Sequence, residues 1–269
     1  MTTYMVEHGC KYFVFLSRSA ADKPEAFAVV ESLQKVGASV EVYLADASNF
    51  QAVQQVVDDV STRRTIRGVI HAAMVLDDGM FESMSVGKYE AVLNPKMLGT
   101  MNLHKALEGA VLDFFVMARS ISAANYCADN SFLDSLALYR PHKGLVASSI
   151  ALPMVLDVEV VAENPEIEGS LNRKGLYGIN ENEMLTALDA GMRQGAPEAG
   201  QAVDTSKVQI LLGLEPAVLA IAMSSVDETD IYWAIDTHLT SACRSFFSHP
   251  WQCVEEPKQQ LHYRSRRNQ

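Results

Sequence analysis

The feature that most constrains this chain is a repeated alternation of short apolar runs with stretches of helical periodicity. Tyr12-Phe13-Val14-Phe15-Leu16 is a continuous apolar run, the pattern of a parallel strand buried on both faces. A helical stretch follows through Ala26, Val29, Val30, Leu33 and Val36, and Gly37 suits its C-terminal cap. Val40-Glu41-Val42-Tyr43-Leu44 reads as the next strand, and Ser48 as the N-cap of a helix containing Val53, Val56, Val57 and Val60. Gly68-Val69-Ile70-His71-Ala72-Ala73 is another buried strand. A longer helical stretch from about Ser85 to Leu107 follows, with an interruption expected near Pro95. Phe114-Phe115-Val116-Met117-Ala118 reads as a fourth strand, Asn125 to Tyr139 as a helix with Phe132, Leu133 and Leu136 inward, and Leu145 to Ile150 as a fifth strand. A polar stretch from Pro153 to Lys174 suits a lid, a helix is expected around Glu181 to Met192, and Val208 to Leu212 reads as a last strand. This β-α-β alternation implies an α/β fold with a doubly wound, mostly parallel sheet and right-handed crossovers. The expected organisation is one domain over residues 1–225 and an extension over 226–269, where the pattern weakens and Pro257 to Gln269 reads as disordered.

The bulk numbers exclude several classes of function. A formal net charge of −11 argues against a nucleic-acid surface, which needs a basic face. Cys10, Cys127, Cys243 and Cys253 lack metal-type or secreted-framework spacing, so they read as reduced thiols in a cytoplasmic protein without a metal. The N-terminus has no apolar leader and no 18-residue apolar run occurs, so no membrane partner is expected.

Four polar residues stand out against this background: Lys96 in Asn94-Pro95-Lys96, Ser120 at the end of an apolar strand pattern, and Tyr126 and Asn130 in Tyr-Cys-Ala-Asp-Asn. Singly, each is as readily an ordinary core or surface residue. Around them lie Phe15-Leu16-Ser17-Arg18-Ser19, Gly68 to Leu76, Leu112-Asp113-Phe114-Phe115-Val116, Ala124-Asn125-Tyr126, Phe132-Leu133-Asp134 and Gly213-Leu214-Glu215-Pro216. In this order and spacing, from about Met5 to Pro216, the strings resemble the ketoreductase domain of fungal reducing polyketide synthases, a short-chain dehydrogenase/reductase. The resemblance implies reduction of a β-ketoacyl thioester, carried by an acyl carrier protein, to the β-hydroxyacyl thioester. Tyr126 matches the tyrosine that protonates the ketone oxygen. A free phenol titrates near pH ~10, so it needs a nearby cation to act near neutrality. Lys96 matches that cation, Ser120 the hydroxyl that polarises the carbonyl, and Asn130 the residue that orients Lys96 or a water.

The same resemblance suggests NADPH as cofactor. Where an NAD-preferring fold ends its second strand in an acidic residue, this chain has Ser17-Arg18-Ser19, a cation and two hydroxyls suited to a 2′-phosphate. The alternative for Arg18 is a solvated arginine. Asp46 matches a residue that contacts the adenine edge, with a capping or turn role equally open, and Ala72 and Ala73 complete the cofactor side. Leu76-Asp77-Asp78 resembles a stereochemical fingerprint of bacterial relatives and is also a common loop sequence. His71 reads as a satisfied core histidine in preference to a base.

Two departures from the family pattern stand beside the matches. The chain contains no Gly-x-Gly-x-x-Gly, and the family's first strand and glycine-rich turn would precede Met5. Because the first strand of a doubly wound sheet lies at its centre, the strands must then re-pair, find a partner segment or fold poorly. The step from Ser120 to Tyr126 is only six residues, about half that of relatives, and Arg119 stands where relatives usually have a second serine. The expectation is a reductase weak or inactive in isolation, working with a polyketide synthase in trans. The alternative is a non-catalytic relic or interaction module of such a pathway.

Overall fold

The apolar runs do become strands, and every strand pair is parallel. The computed structural model describes residues 1–75, 85–120, 124–156, 177–195 and 205–214, with the backbone alone at 120, 124–129, 205 and 206. These residues belong to one compact unit, Met1–Glu215; a second unit, Pro216–Gln269, lies outside them, as does most of the expected lid. In chain order the elements are α1 (Thr2–Glu7), β1 (Tyr12–Ser17), α2 (Pro24–Lys35), β2 (Ser39–Leu44), α3 (Phe50–Ser61), β3 (Gly68–His71) and α4 (Val86–Ala106). There follow β4 (Phe114–Ser120), α5 (Ala124–His142), β5 (Ser148–Leu152), α6 (Glu181–Met192), α7 (Thr205–Val208) and β6 (Gln209–Leu211).

The strands form two sheets, β1-β2 and β3-β4-β5-β6, with no hydrogen-bonded pair joining β1 to β3 among the described residues. The break lies between β1 and β3. It corrects one expectation: Tyr12 is 53% exposed and Val14 36%, so the first run is not buried on both faces and only Phe13 is fully inside. Alternation along β4 does what a doubly buried strand requires. Phe115 and Met117 pack with Leu133, Leu136 and Ala137 of α5, while Val116 packs on the opposite face with Ile150 and with Ala187 and Leu188 of α6.

Helix α3 spans the break. Its Val53 and Val57 enter the core built on β4 and α5, and its Val56 and Val60 pack with Ala45 and Tyr43 beside β2. Four valines on adjacent helical rows therefore join the sheets by apolar contact in place of hydrogen bonds.

Several boundaries move. Asn49, not Ser48, caps α3, accepting from the Ala52 amide at 3.1 Å, because Ser48 is engaged by Asp46. The α4 helix runs through Pro95 without interruption; Val92, Pro95, Lys96 and Gly99 are all buried, and packing offsets the lost backbone bond. The fifth strand begins at Ser148, later than expected, since the chain first returns from α5 through a turn at Gly144, φ +72°. Gly37, at φ +84°, does end α2 as expected, and Asn180 and Glu183 form a capping box on α6.

The Phe114 ring lies over Gly68, its register partner on β3, so that a Cβ at Gly68 would stand 2.1 Å from the ring. Gly68→Ala is expected to cost ~1–3 kcal/mol by overpacking, read as a lower urea midpoint. Phe114→Leu in the same chain should recover part of the loss.

Candidate active site

In an open parallel sheet, ligands bind beyond the carboxyl ends of the strands. Here those ends carry the residues singled out above: Ser17-Arg18-Ser19 after β1, Asp46 after β2, Ala72 and Ala73 after β3, and Ser120 ending β4. Tyr126 stands in the first turn of α5; its side chain and that of Ser120 lie outside the described residues, as does Asp77-Asp78.

Lys96 and Asn130 are brought together. Lys96 is 1% exposed and donates from Nζ to Oδ1 of Asn130 at 3.3 Å, across the packing of α4 on α5. An ammonium so deeply buried needs acceptors, and Asn130 supplies one four residues beyond Tyr126. Thr100 donates to the Lys96 carbonyl at 2.5 Å, one turn along α4.

The turn that carries Lys96 is also tied to the strand ends. His71, the last residue of β3, donates from Nε2 to the Pro95 carbonyl at 3.1 Å. Asn102 donates to the carbonyl of Ala47, next to Asp46, at 2.9 Å. Gly99 lets this approach happen: a Cβ there would stand 3.0 Å from the His71 ring and 3.2 Å from Ala47. Thr100 and Asn102 were not read from the sequence as site residues. The available signal was the polar character of an α4 stripe that helical spacing would otherwise fill with apolar side chains.

After β2, Asp46 accepts from both the amide and the hydroxyl of Ser48, at 2.8 and 2.7 Å. These bonds, with a smaller contribution from the Arg18 charge, hold its carboxyl below the usual range. The turn role left open in the sequence is therefore occupied. Arg18 is exposed in a loop that Ser17 steadies by accepting from the Ser19 amide at 3.3 Å. Ala20, at φ +47°, turns the chain away from the strand end. An exposed guanidinium flanked by hydroxyls fits a phosphate group. A groove of about 510 Å³ along α3, lined by Phe50, Gln54, Asp58 and their neighbours, contains none of these residues.

A family model described as "KR domain" matches residues 1–157. The chain belongs to the ketoreductase domain family of polyketide synthases. This ketoreductase domain is 37% identical over 253 residues to "Reducing polyketide synthase DEP5" of Alternaria brassicicola, covering 91% of the chain and 11% of that protein. Among solved structures, "Structure of A1-type ketoreductase" is similar with a TM-score of 0.70 at 24% identity, over 91% of this chain and 50% of that one. "Crystal structure of blue fluorescent protein from metagenomic library in complex with NADPH" has a TM-score of 0.60 at 16% identity, over 78% of this chain and 89% of that one. Those two likenesses concern the fold.

Burial pushes the His71 imidazole down from 6.5 to about 4, and the Pro95 carbonyl only partly opposes this. The folded chain disfavours the imidazolium, so the contribution of neutral His71 is whole above pH 6.5 and is lost as pH falls toward 4. The loss should reach about 3 kcal/mol at most, read as a falling thermal midpoint between pH 7 and 4. His71→Asn, which keeps a donor for Pro95, should flatten that dependence.

Proposed function

We propose that this domain reduces the ketone of a β-ketoacyl thioester, presented on an acyl carrier protein, to the β-hydroxyacyl thioester in polyketide assembly. The observation that carries the reading is the buried Lys96 ammonium bonded to Asn130 in the helix whose first turn bears Tyr126. NADPH, when bound, supplies the hydride that the carbonyl carbon accepts. The Tyr126 hydroxyl delivers the balancing proton to the carbonyl oxygen, and Ser120 donates a hydrogen bond to that same oxygen. Lys96 lowers the pKa of the Tyr126 phenol by its charge, and Asn130 keeps the ammonium in place. Arg18 with Ser17 and Ser19 would receive the 2′-phosphate, and Asp46, Ala72 and Ala73 the adenosine side. The four cysteines suit a cytoplasmic setting, and among the described residues no helix is long and apolar enough to cross a membrane.

Turnover by this chain is expected to be slow. The cofactor-side loop follows β1 and the reducing residues stand against β4, on sheets that share no hydrogen-bonded strand pair among the described residues. Hydride transfer depends steeply on near-attack geometry, so positioning would fail before chemistry does.

Titration of the chain with each cofactor, followed by thermal shift or nicotinamide fluorescence, should show preference for NADPH over NADH. Arg18→Ala should cut that preference about tenfold or more, the scale of a charge-assisted hydrogen bond. Equal affinities would refute the assignment of Arg18. Slow NADPH oxidation with a β-ketoacyl thioester analogue should vanish in Tyr126→Phe and in Lys96→Met. Oxidation that survives in Tyr126→Phe would overturn the reading, and binding without any oxidation would favour a non-catalytic module.

A further inference from the structure

The reductase chemistry assigns no role to Arg119, a buried cation on β4. Arg119 is the penultimate residue of β4, and alternation along the strand turns it to the side of Phe115 and Met117, toward α5. Its Nε lies 3.0 Å from Oδ1 of Asp134 on α5, with the two side chains 6% and 2% exposed. Ser149 on β5, in register with Met117, donates its hydroxyl to the same oxygen at 2.5 Å. The guanidinium is nonetheless poorly satisfied: Nε is in ion-pair contact without hydrogen-bond alignment, and Nη2 has no hydrogen-bond partner among the described residues.

A buried pair of this kind is a weak source of stability, because desolvation of the two charges rivals their attraction. It is, however, directional. Leu133, Leu136 and Ala137 hold α5 on the core by apolar contact, which tolerates small slides and rotations. Asp134 meets both Arg119 and Ser149 at only one rotation and one height of the helix. Asn130 stands one turn before Asp134 and is buried like it, and its bond to Lys96, at 3.3 Å, is already beyond the ordinary range. A small shift of α5 would break it.

We propose that Arg119, Asp134 and Ser149 form a positioning clamp that sets the rotation and height of α5 and so holds Asn130 against Lys96. The functional consequence rests on the reductase reading above; the clamp itself does not. None of the three is a catalytic residue.

The test replaces the pair by apolar residues of similar size, Arg119→Met with Asp134→Leu, in the full chain. Three quantities are read: the thermal midpoint, the rate of Lys96 acetylation by acetic anhydride followed by peptide mass spectrometry, and NADPH oxidation with the thioester analogue. Acetylation is referenced to exposed Lys35. The double variant should melt near or above the parent chain. Its Lys96 should label about tenfold faster relative to Lys35, the mark of local opening without global unfolding. Any oxidation should fall in kcat with little change in KM, and Arg119→Lys should retain most of the protection of Lys96. Should the double variant fail to fold, Ser149→Ala leaves both charges in place and should give a smaller acceleration in the same direction. A folded double variant, or failing that a folded Ser149→Ala chain, with Lys96 as protected as in the parent would overturn the clamp. Lys96 labelling needs no turnover, so a chain that never oxidises NADPH would sink the reductase reading and still decide this one.

Discussion

Burial of β4 on both faces is the constraint on which the rest of the structure depends. Its backbone is paired on either side by β3 and β5, and its side chains alternate between the α5 core and the α6 core. A strand in that position has no tolerance for a change of register, since a one-residue slip would exchange the two sets. Arg119 and Ser120 are thereby delivered to fixed places at its carboxyl end. Helices α4 and α5, which carry Lys96, Tyr126 and Asn130, can then be set against a rigid reference.

The second sheet is held differently. The β1-β2 pair is connected to β3-β6 through the valine rows of α3 and through polar ties from α4. Those ties are specific where the valines are not: Asn102 reaches the carbonyl of Ala47 after β2, and His71 at the end of β3 reaches the Pro95 carbonyl. Helix α4 thus serves as the beam between the loop after β2 and the end of β3. The bond from Lys96 to Asn130 joins α4 to α5.

Expectations drawn from periodicity held best where a single local pattern sufficed. The span of α6, the glycine end of α2 and the inward leucines of α5 all follow from helical spacing and capping chemistry. They failed where a second partner decided the outcome. Ser48 is a sound N-cap by type, yet Asp46 engages it and Asn49 takes the position. Pro95 should interrupt a helix, yet α4 is buried around it and continues. Tyr12 and Val14 belong to an apolar run, yet they stand on the face of β1 opposite buried Phe13 and remain exposed.

By itself the sequence determined the α/β alternation, the parallel direction of the strands, the ketoreductase ancestry and the identity of Lys96 and Asn130 as candidates. Each rests on residue type and short-range spacing, which local burial and hydrogen-bonding rules translate directly into strand and helix. Only the tertiary structure decided that Lys96 meets Asn130 across 34 residues, that Asn102 meets Ala47 across 55, and that Asp134 meets Ser149 across 15. Only it, too, turned Arg119 from a charge beside the active strand into the buried partner of Asp134. Polar contacts of this kind are chosen by desolvation and geometry at a packed interface. The partner of a buried charge is set by which elements the fold brings within about 3 Å, a quantity that no local pattern carries.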